Sequence, residues 1–142
     1  MLAKILREAK VSYIKWDMNR SITECYSVAL PADRQGEVFH RYILGVYDLY
    51  ERLTSEFPHI LFESCASGGA RFDPGLLYYA PQGWASDDSD AIERLKIQYG
   101  TSFAYPISSI GSHVSVTPNH QVYRLTPLHT RANVAYFGTF RL

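Results

Sequence analysis

The feature that most constrains the fold is the alternation of short apolar runs with helical patterns along the chain. HILFES at 59–64 is a largely continuous run rather than an alternating one, which is typical of a strand buried on both faces. From Pro31 to about Phe57, by contrast, apolar side chains recur every three or four residues, as in an amphipathic helix that ends at Pro58. This alternation predicts a parallel sheet covered by helices.

The remaining elements follow from the same patterns. Further strands are predicted at 12–17, 83–86, 106–115 and in the final FGTF, and further helices at 2–9, from Ser89 or Asp90 onward, and from Thr126 and Pro127 to about Tyr136. These make about five strands, whereas a closed (β/α)₈ barrel needs eight and typically about 250 residues. The 142 residues therefore form either a small open α/β domain or a fragment of something larger.

Composition excludes several classes of function. Fourteen Lys and Arg residues balance fourteen Asp and Glu residues, which argues against a nucleic-acid binder or a polybasic membrane anchor. No apolar run approaches the length of a membrane span, and charges interrupt the first sixteen residues where a signal peptide would be apolar. We therefore expect a cytoplasmic protein. Cys25 and Cys65 are too few for a disulfide framework and lack the spacing of zinc ligands.

Polar side chains follow the predicted strands, at the edge where the carboxyl ends of parallel strands meet. Reading outward from each strand, they are Lys15, Asp17, Asn19 and Arg20, then Glu63, Ser64, Cys65, Gly68 and Arg71, then Asp87 and Asp88, then His113, Asn119 and His120. Two facing carboxylates suffice for glycoside hydrolysis, since one attacks the anomeric carbon and the other protonates the leaving oxygen. An aspartate at a strand end is also often just a turn residue or a helix cap, as Asp90 illustrates.

Four longer segments carry a more specific signal. They are YIKWDMNR at 13–20, ESCASGGARFD at 63–73, WASDDSDAIERLKIQYGTS at 84–102 and GSHVSVTPNHQ at 111–121. In this order and with these separations they closely resemble the α-galactosidases of glycoside hydrolase family 36, from about Ile5 to about Phe140. The resemblance implies that residues 1–142 are the C-terminal part, about strands four to eight, of a (β/α)₈ TIM barrel, without the family's N-terminal and C-terminal β domains.

The resemblance also implies a retaining mechanism in which Asp17 is the nucleophile and Asp87 is the acid/base. Lys15 matches a family lysine that contacts galactose hydroxyls, and on a strand it would point to the same face as Asp17. Neither carboxylate role needs a metal, and no cofactor is expected.

Other residues match positions that line the family's sugar pocket: Trp16, Met18, Asn19, Cys65 and Gly68. Arg71 is expected to hold the loop. Each of three positions has an alternative interpretation, since Trp16 can simply pack, Cys65 can be a small buried residue, and Arg71 can be a structural ion-pair partner.

The implied substrates are melibiose- or raffinose-type α-galactosides, and the parent protein is expected to be a homo-tetramer. The glycine-rich run departs from many relatives at Ala66, Ser67 and Ala70, and the family's paired aspartates and arginine from earlier strands have no counterpart. An inactive remnant or sugar-binding half-barrel therefore stays an alternative. Within enzymes, the alternatives are an α-N-acetylgalactosaminidase or a galactosyl transferase relative.

Overall fold

A computed structural model describes residues 1–19 and 23–141. Within them, helices and strands alternate along the chain. In order they are α1 (Leu2–Glu8), β1 (Tyr13–Asp17), α2 (Val38–Glu56), β2 (Leu61–Cys65), α3 (Pro74–Tyr79), β3 (Gln82–Gly83), α4 (Ala91–Ser102), β4 (Gly111–His113), α5 (Leu128–Tyr136) and β5 (Thr139–Arg141). Two 3₁₀ helices, Ala32–Glu37 and Ile107–Ser109, precede α2 and β4.

All strand pairs are parallel. β1, β2 and β3 form one sheet in sequence order, and β4 pairs with β5. An isolated parallel bridge between Gly83 and Ile110 joins the two groups. The carboxyl ends of the strands therefore lie along one edge, which brings the residues that follow them together.

The two faces of the β1–β2 sheet have different surroundings because side chains alternate along a strand. On one face, which we call the helix face, Trp16 and Phe62 pack with Tyr50 of α2, with the Trp16 and Tyr50 ring centroids 4.7 Å apart. This cluster is the apolar core of the first half of the chain, with α2 buried along Val46, Tyr50 and Leu53. The opposite face, which we call the site face, carries Lys15, Asp17, Glu63 and Cys65.

The structure confirms the α/β class and the parallel strands. It corrects several boundaries: the first turns of the predicted 31–57 helix are 3₁₀, the predicted 83–86 strand comprises only Gln82–Gly83, and the predicted 106–115 strand is a 3₁₀ helix followed by Gly111–His113. β3 and β4 consist of small or polar residues, which favour strands less than β-branched or aromatic residues do, so each strand is short. The helix predicted from Thr126 and Pro127 begins at Leu128, with Pro127 as its N-cap residue.

Helix α3 was not predicted. Its sequence begins Asp-Pro-Gly, which is typical of a turn, but the Asp73 carboxylate accepts a hydrogen bond from the Leu76 amide and Pro74 occupies the first helical position. Asp90 caps α4 as predicted, accepting from the amides of Ile92 and Glu93. Among the described residues, no helix has the length and apolar character needed to cross a bilayer.

Candidate active site

The first carboxylate stands at the end of a fully paired strand. Asp17 is the last residue of β1, and its register partner on β2 is Cys65. The pairing continues one residue beyond the strand, where the Met18 amide donates to the Cys65 carbonyl oxygen at 3.1 Å. The position of Asp17 is therefore set by the backbone ladder.

The second carboxylate belongs to an irregular segment beyond β3. The turn after Cys65 packs on this segment at Gly68, which has a φ of +76°. A Cβ atom at Gly68 would lie 2.7 Å from the Ser86 Cα atom and 2.8 Å from the Asp87 amide nitrogen. Asp17 and Asp87 thus flank one turn, Cys65–Gly68, at the same edge of the sheet, and both are exposed.

Lys15 is held on the site face by a buried acid. Its Nζ atom lies 3.8 Å from Glu63 Oε1, and the Tyr13 hydroxyl donates to Glu63 Oε2. Glu63 is only 2% exposed. Burial raises the pKa of Glu63, and the Lys15 ammonium opposes that rise. Sequence reasoning placed Glu63 at this edge but gave it no role, since its pairing with Lys15 depends on strand register.

Trp84 was missed as a site residue, although it belongs to a quoted motif. Lys15 Nζ lies 4.4 Å from its ring centroid and Arg94 Cζ lies 4.5 Å from it, both within cation–π range. The His113 ring stacks on Trp84 at 4.9 Å between centroids and 15° between planes. Gly111 makes this packing possible, since a Cβ atom there would lie 3.2 Å from Trp84 Cε3. On the site face, charged and polar groups therefore surround an apolar ring that is only 8% exposed.

Arg94 joins the acid segment, residues 85–90, which carries Asp87, to the neighbouring strand and helix. This buried guanidinium donates to the carbonyl oxygens of Ser86 at 2.9 Å and Gly111 at 2.7 Å, and to Gln98 Oε1 at 2.9 Å. Burial lowers its pKa to about 10, which still leaves it charged at neutral pH. The residue before Asp87 is thus fixed to both β4 and α4.

Two further groups have shifted pKa values. Burial raises the pKa of the Cys65 thiol, and Asp17 adds to the rise, so the thiol is neutral near pH 7 and suited to donate a hydrogen bond. Burial lowers the pKa of His113, and the cations Arg94 and Lys15 lower it further. His113 is therefore a neutral imidazole beside Trp84 at neutral pH.

Asn19 and Arg71 connect the two loops. The Ser67 amide donates to Asn19 Oδ1, and the Arg71 guanidinium donates to the carbonyl oxygens of Met18 and, at 3.4 Å, Cys65. These contacts are those of a side chain that holds the loop, the function expected of Arg71.

Two predicted pocket residues lie elsewhere. Trp16 packs against Tyr50 and Phe62 on the helix face, opposite Lys15 and Asp17, which favours the packing alternative. Met18 packs against the same core cluster and contributes its carbonyl oxygen to Arg71. Arg20 lies outside the described residues.

The remaining candidates support the loops. Asp88 accepts from the Asp90 amide, and Asn119 accepts from the amides of Gln121 and Val122. Ser64 is buried, and His120 is exposed. In the part of the chain that the structure describes, no group of three or more His, Cys, Asp or Glu side chains is arranged to hold a metal ion.

Comparison with known proteins adds an independent line of evidence. The family model described as Melibiase matches residues 1–142. The chain belongs to the Melibiase family. It is 59% identical over 139 residues to "Alpha-galactosidase AgaA" of Geobacillus stearothermophilus and 60% identical over 137 residues to "Alpha-galactosidase 1" of Pediococcus pentosaceus, matching 98% and 96% of this chain.

Solved structures of Melibiase family members agree. The crystal structure of AgaA, a glycoside hydrolase family 36 enzyme, superposes with a TM-score of 0.92 over 98% of this chain, and structures of AgaA variants contain raffinose or stachyose. The chain spans about a fifth of these relatives, 19% of AgaA in both sequence and structure.

Proposed function

We propose that this chain is the catalytic part of a retaining α-galactosidase, which removes terminal α-galactose from melibiose- or raffinose-type sugars. The main structural support is that one turn, Cys65–Gly68, lies next to both aspartates. Cys65 is the register partner of Asp17, and three residues later Gly68 packs on the Asp87 amide. Two carboxylates at one sheet edge are the equipment that glycoside hydrolysis needs. Close identity to named α-galactosidases supports the choice of sugar.

The fold proposal is that β1 to β5 are about strands four to eight of a (β/α)₈ barrel. Five parallel strands in sequence order, each preceded by a helix, support it. The parent protein would supply the missing strands beside β1 and β5, since a barrel leaves no open edges.

In the proposed mechanism, the Asp17 carboxylate attacks the anomeric carbon while Asp87 gives its proton to the departing glycosidic oxygen. The galactosyl ester on Asp17 is then hydrolysed by water that Asp87, now a carboxylate, deprotonates. This double displacement requires the two carboxyl groups to be about 5–5.5 Å apart across the bond. The Lys15 ammonium on the same strand face offers donors to sugar hydroxyls.

The test uses the full-length protein that contains these residues. We expect Asp17→Ala to abolish turnover of 4-nitrophenyl α-galactoside, because the covalent step loses its nucleophile. Near-normal hydrolysis by this variant would contradict the assignment.

Asp87→Ala separates the second role from the first. We expect its kcat/KM to fall much more on raffinose than on the activated aryl galactoside, because protonation matters most for a poor leaving group. Equal losses on both substrates would argue against an acid role. Release of α-N-acetylgalactosamine or of a transfer product, rather than galactose, would favour the alternative enzyme assignments.

The homo-tetramer and the cytoplasmic location stay predictions. An inactive or merely sugar-binding chain would bind galactose at equilibrium without releasing it from an aryl galactoside. The same two assays therefore distinguish these alternatives.

A further inference from the structure

The segment that carries Asp87 is not part of the sheet. β3 ends at Gly83, and the Trp84 amide makes one more backbone bond to the sheet, to the Ser64 carbonyl oxygen at 2.9 Å. α4 begins at Ala91, so residues 85–90 have no ladder to define their path. Asp87 is the fourth residue beyond the end of β3. Because general acid catalysis depends on where the carboxyl group stands relative to the leaving oxygen, something other than the sheet must fix this segment.

One side chain from a distant loop spans the segment on both sides of Asp88. Gln121 Nε2 donates to the Asp87 carbonyl oxygen at 2.9 Å. Gln121 Oε1 accepts from the Ser89 amide at 2.8 Å and from the Ser89 hydroxyl at 3.0 Å. A carbonyl oxygen only accepts and an amide N–H only donates, so a carboxamide satisfies both ends and a carboxylate does not.

Gln121 is itself held by a buried residue. Asn119 is 2% exposed, and its Oδ1 accepts from the Gln121 amide at 2.9 Å and the Val122 amide at 3.1 Å. Its Nδ2 donates to the Ser89 hydroxyl at 3.2 Å. The loop after β4 is therefore pre-shaped to present the Gln121 carboxamide to the acid segment.

A second contact fixes the far end of the segment. Arg124 forms an ion pair with Asp90, the N-cap residue of α4, and lies 3.3 Å from Glu93. The β4–α5 loop thus contacts residues 87, 89 and 90.

We propose that Gln121 is a positioning residue that orients the acid/base Asp87 through the backbone of residues 87–89. The proposal rests on the proposed function. Gln121 does not touch the reacting atoms in this assignment. Its loss should therefore reproduce, in weaker form, the kinetic signature of losing Asp87, and it should leave the nucleophile step intact.

The test compares Gln121→Met with Asp87→Ala in the full-length protein. Methionine has a similar length but neither donates nor accepts strongly, so both bridges to the segment are lost. We expect kcat/KM of Gln121→Met to fall about tenfold on raffinose and about twofold on 4-nitrophenyl α-galactoside. A purely structural defect would lower both rates equally, because it removes active molecules without regard to the leaving group.

Two further variants sharpen the result. Gln121→Glu keeps the acceptor for Ser89 but points an oxygen at the Asp87 carbonyl oxygen, so we expect a loss on raffinose at least as large as that of Gln121→Met. Val122→Ala, an exposed change in the same loop, is the matched control and should leave both rates and the Tm unchanged.

The outcomes separate the two claims. If Asp87→Ala shows the leaving-group dependence but Gln121→Met loses both activities equally or neither, the positioning role is wrong and the proposed function stands. If Asp87→Ala itself lacks the dependence, the acid assignment fails and the positioning role fails with it. The proposal is supported if kcat/KM falls more on raffinose than on the aryl galactoside in Asp87→Ala, Gln121→Met and Gln121→Glu, but not in Val122→Ala.

Discussion

The two candidate catalytic aspartates are held in different ways. Asp17 ends a strand of five residues whose every position pairs with β2. Asp87 lies beyond a strand of two residues and depends on side chains: Arg94 holds the carbonyl oxygen of Ser86, and Gln121 holds that of Asp87. Most substitutions leave backbone hydrogen bonds between strands intact, whereas a single substitution can remove a side-chain hydrogen bond. The acid side should therefore be the more fragile of the two.

Apart from the aspartates themselves, the largest effect is expected at Gly68, where the two regions meet. Alanine there adds a Cβ atom 2.7 Å from the Ser86 Cα atom and forces a side chain into a left-handed conformation. We expect the free energy of unfolding to fall by about 3 kcal/mol. We expect kcat/KM on raffinose to fall about 100-fold, since the acid is displaced. Thermal unfolding and substrate kinetics measure the two effects.

The second largest effect tests the nucleophile side. In Glu63→Gln, Lys15 loses its buried counter-charge, so we expect KM for galactosides to rise about tenfold while kcat changes little. Glu56→Gln is the matched control, because Glu56 pairs with Arg7 on the surface, where such pairs contribute little. A KM equal to that of the unmodified protein would mean that Glu63 does not position Lys15.

A smaller effect is expected at Arg71. In Arg71→Met the bonds from the guanidinium to the carbonyl oxygens of Met18 and Cys65 are lost. Because the ladder also fixes Asp17, we expect kcat/KM to fall only about threefold. A loss exceeding that of Gly68→Ala would break the comparison, since it would show that the nucleophile also depends on a side chain.

The smallest effect lies far from both aspartates. Gly45 is exposed within α2, and a Cβ atom there would meet nothing within 4 Å. Gly45→Ala should raise the free energy of unfolding by about 1 kcal/mol without changing either rate. Denaturant unfolding measures the gain, and a change in kcat would show that α2 influences the site.

The sequence was most informative where local pattern and tertiary structure agree. The apolar run at 59–64 corresponds to β2 within two residues at its start and one at its end, and the 3.6-residue pattern identifies α2. It was least informative where tertiary contacts override local preference. Asp73 looks like a turn residue, yet it caps α3 and accepts from the Tyr47 hydroxyl at 2.6 Å, a contact across 26 residues.

The same limit applies to the candidate site. Strand ends indicated Lys15, Asp17 and Asp87 among other polar residues, and the family resemblance implied their roles. The hydrogen bond from Gln121 to the Asp87 carbonyl oxygen joins residues that are 34 positions apart in the sequence. The bond from Arg94 to the Gly111 carbonyl oxygen joins residues that are 17 positions apart. Neither has a local signature. Trp16 was misleading for a different reason, because neighbouring positions of a strand point to opposite faces.

The two tryptophans of the chain, Trp16 and Trp84, lie on opposite faces of the sheet. Trp16 is packed among aromatic rings, while Trp84 is surrounded by a lysine, an arginine and an imidazole. Their emission should therefore report different events, with Trp84 responding, through Lys15, to a ligand at the proposed site and Trp16 to loosening of the core. Single Trp→Phe variants would give the protein two built-in optical probes, one for occupancy and one for folding.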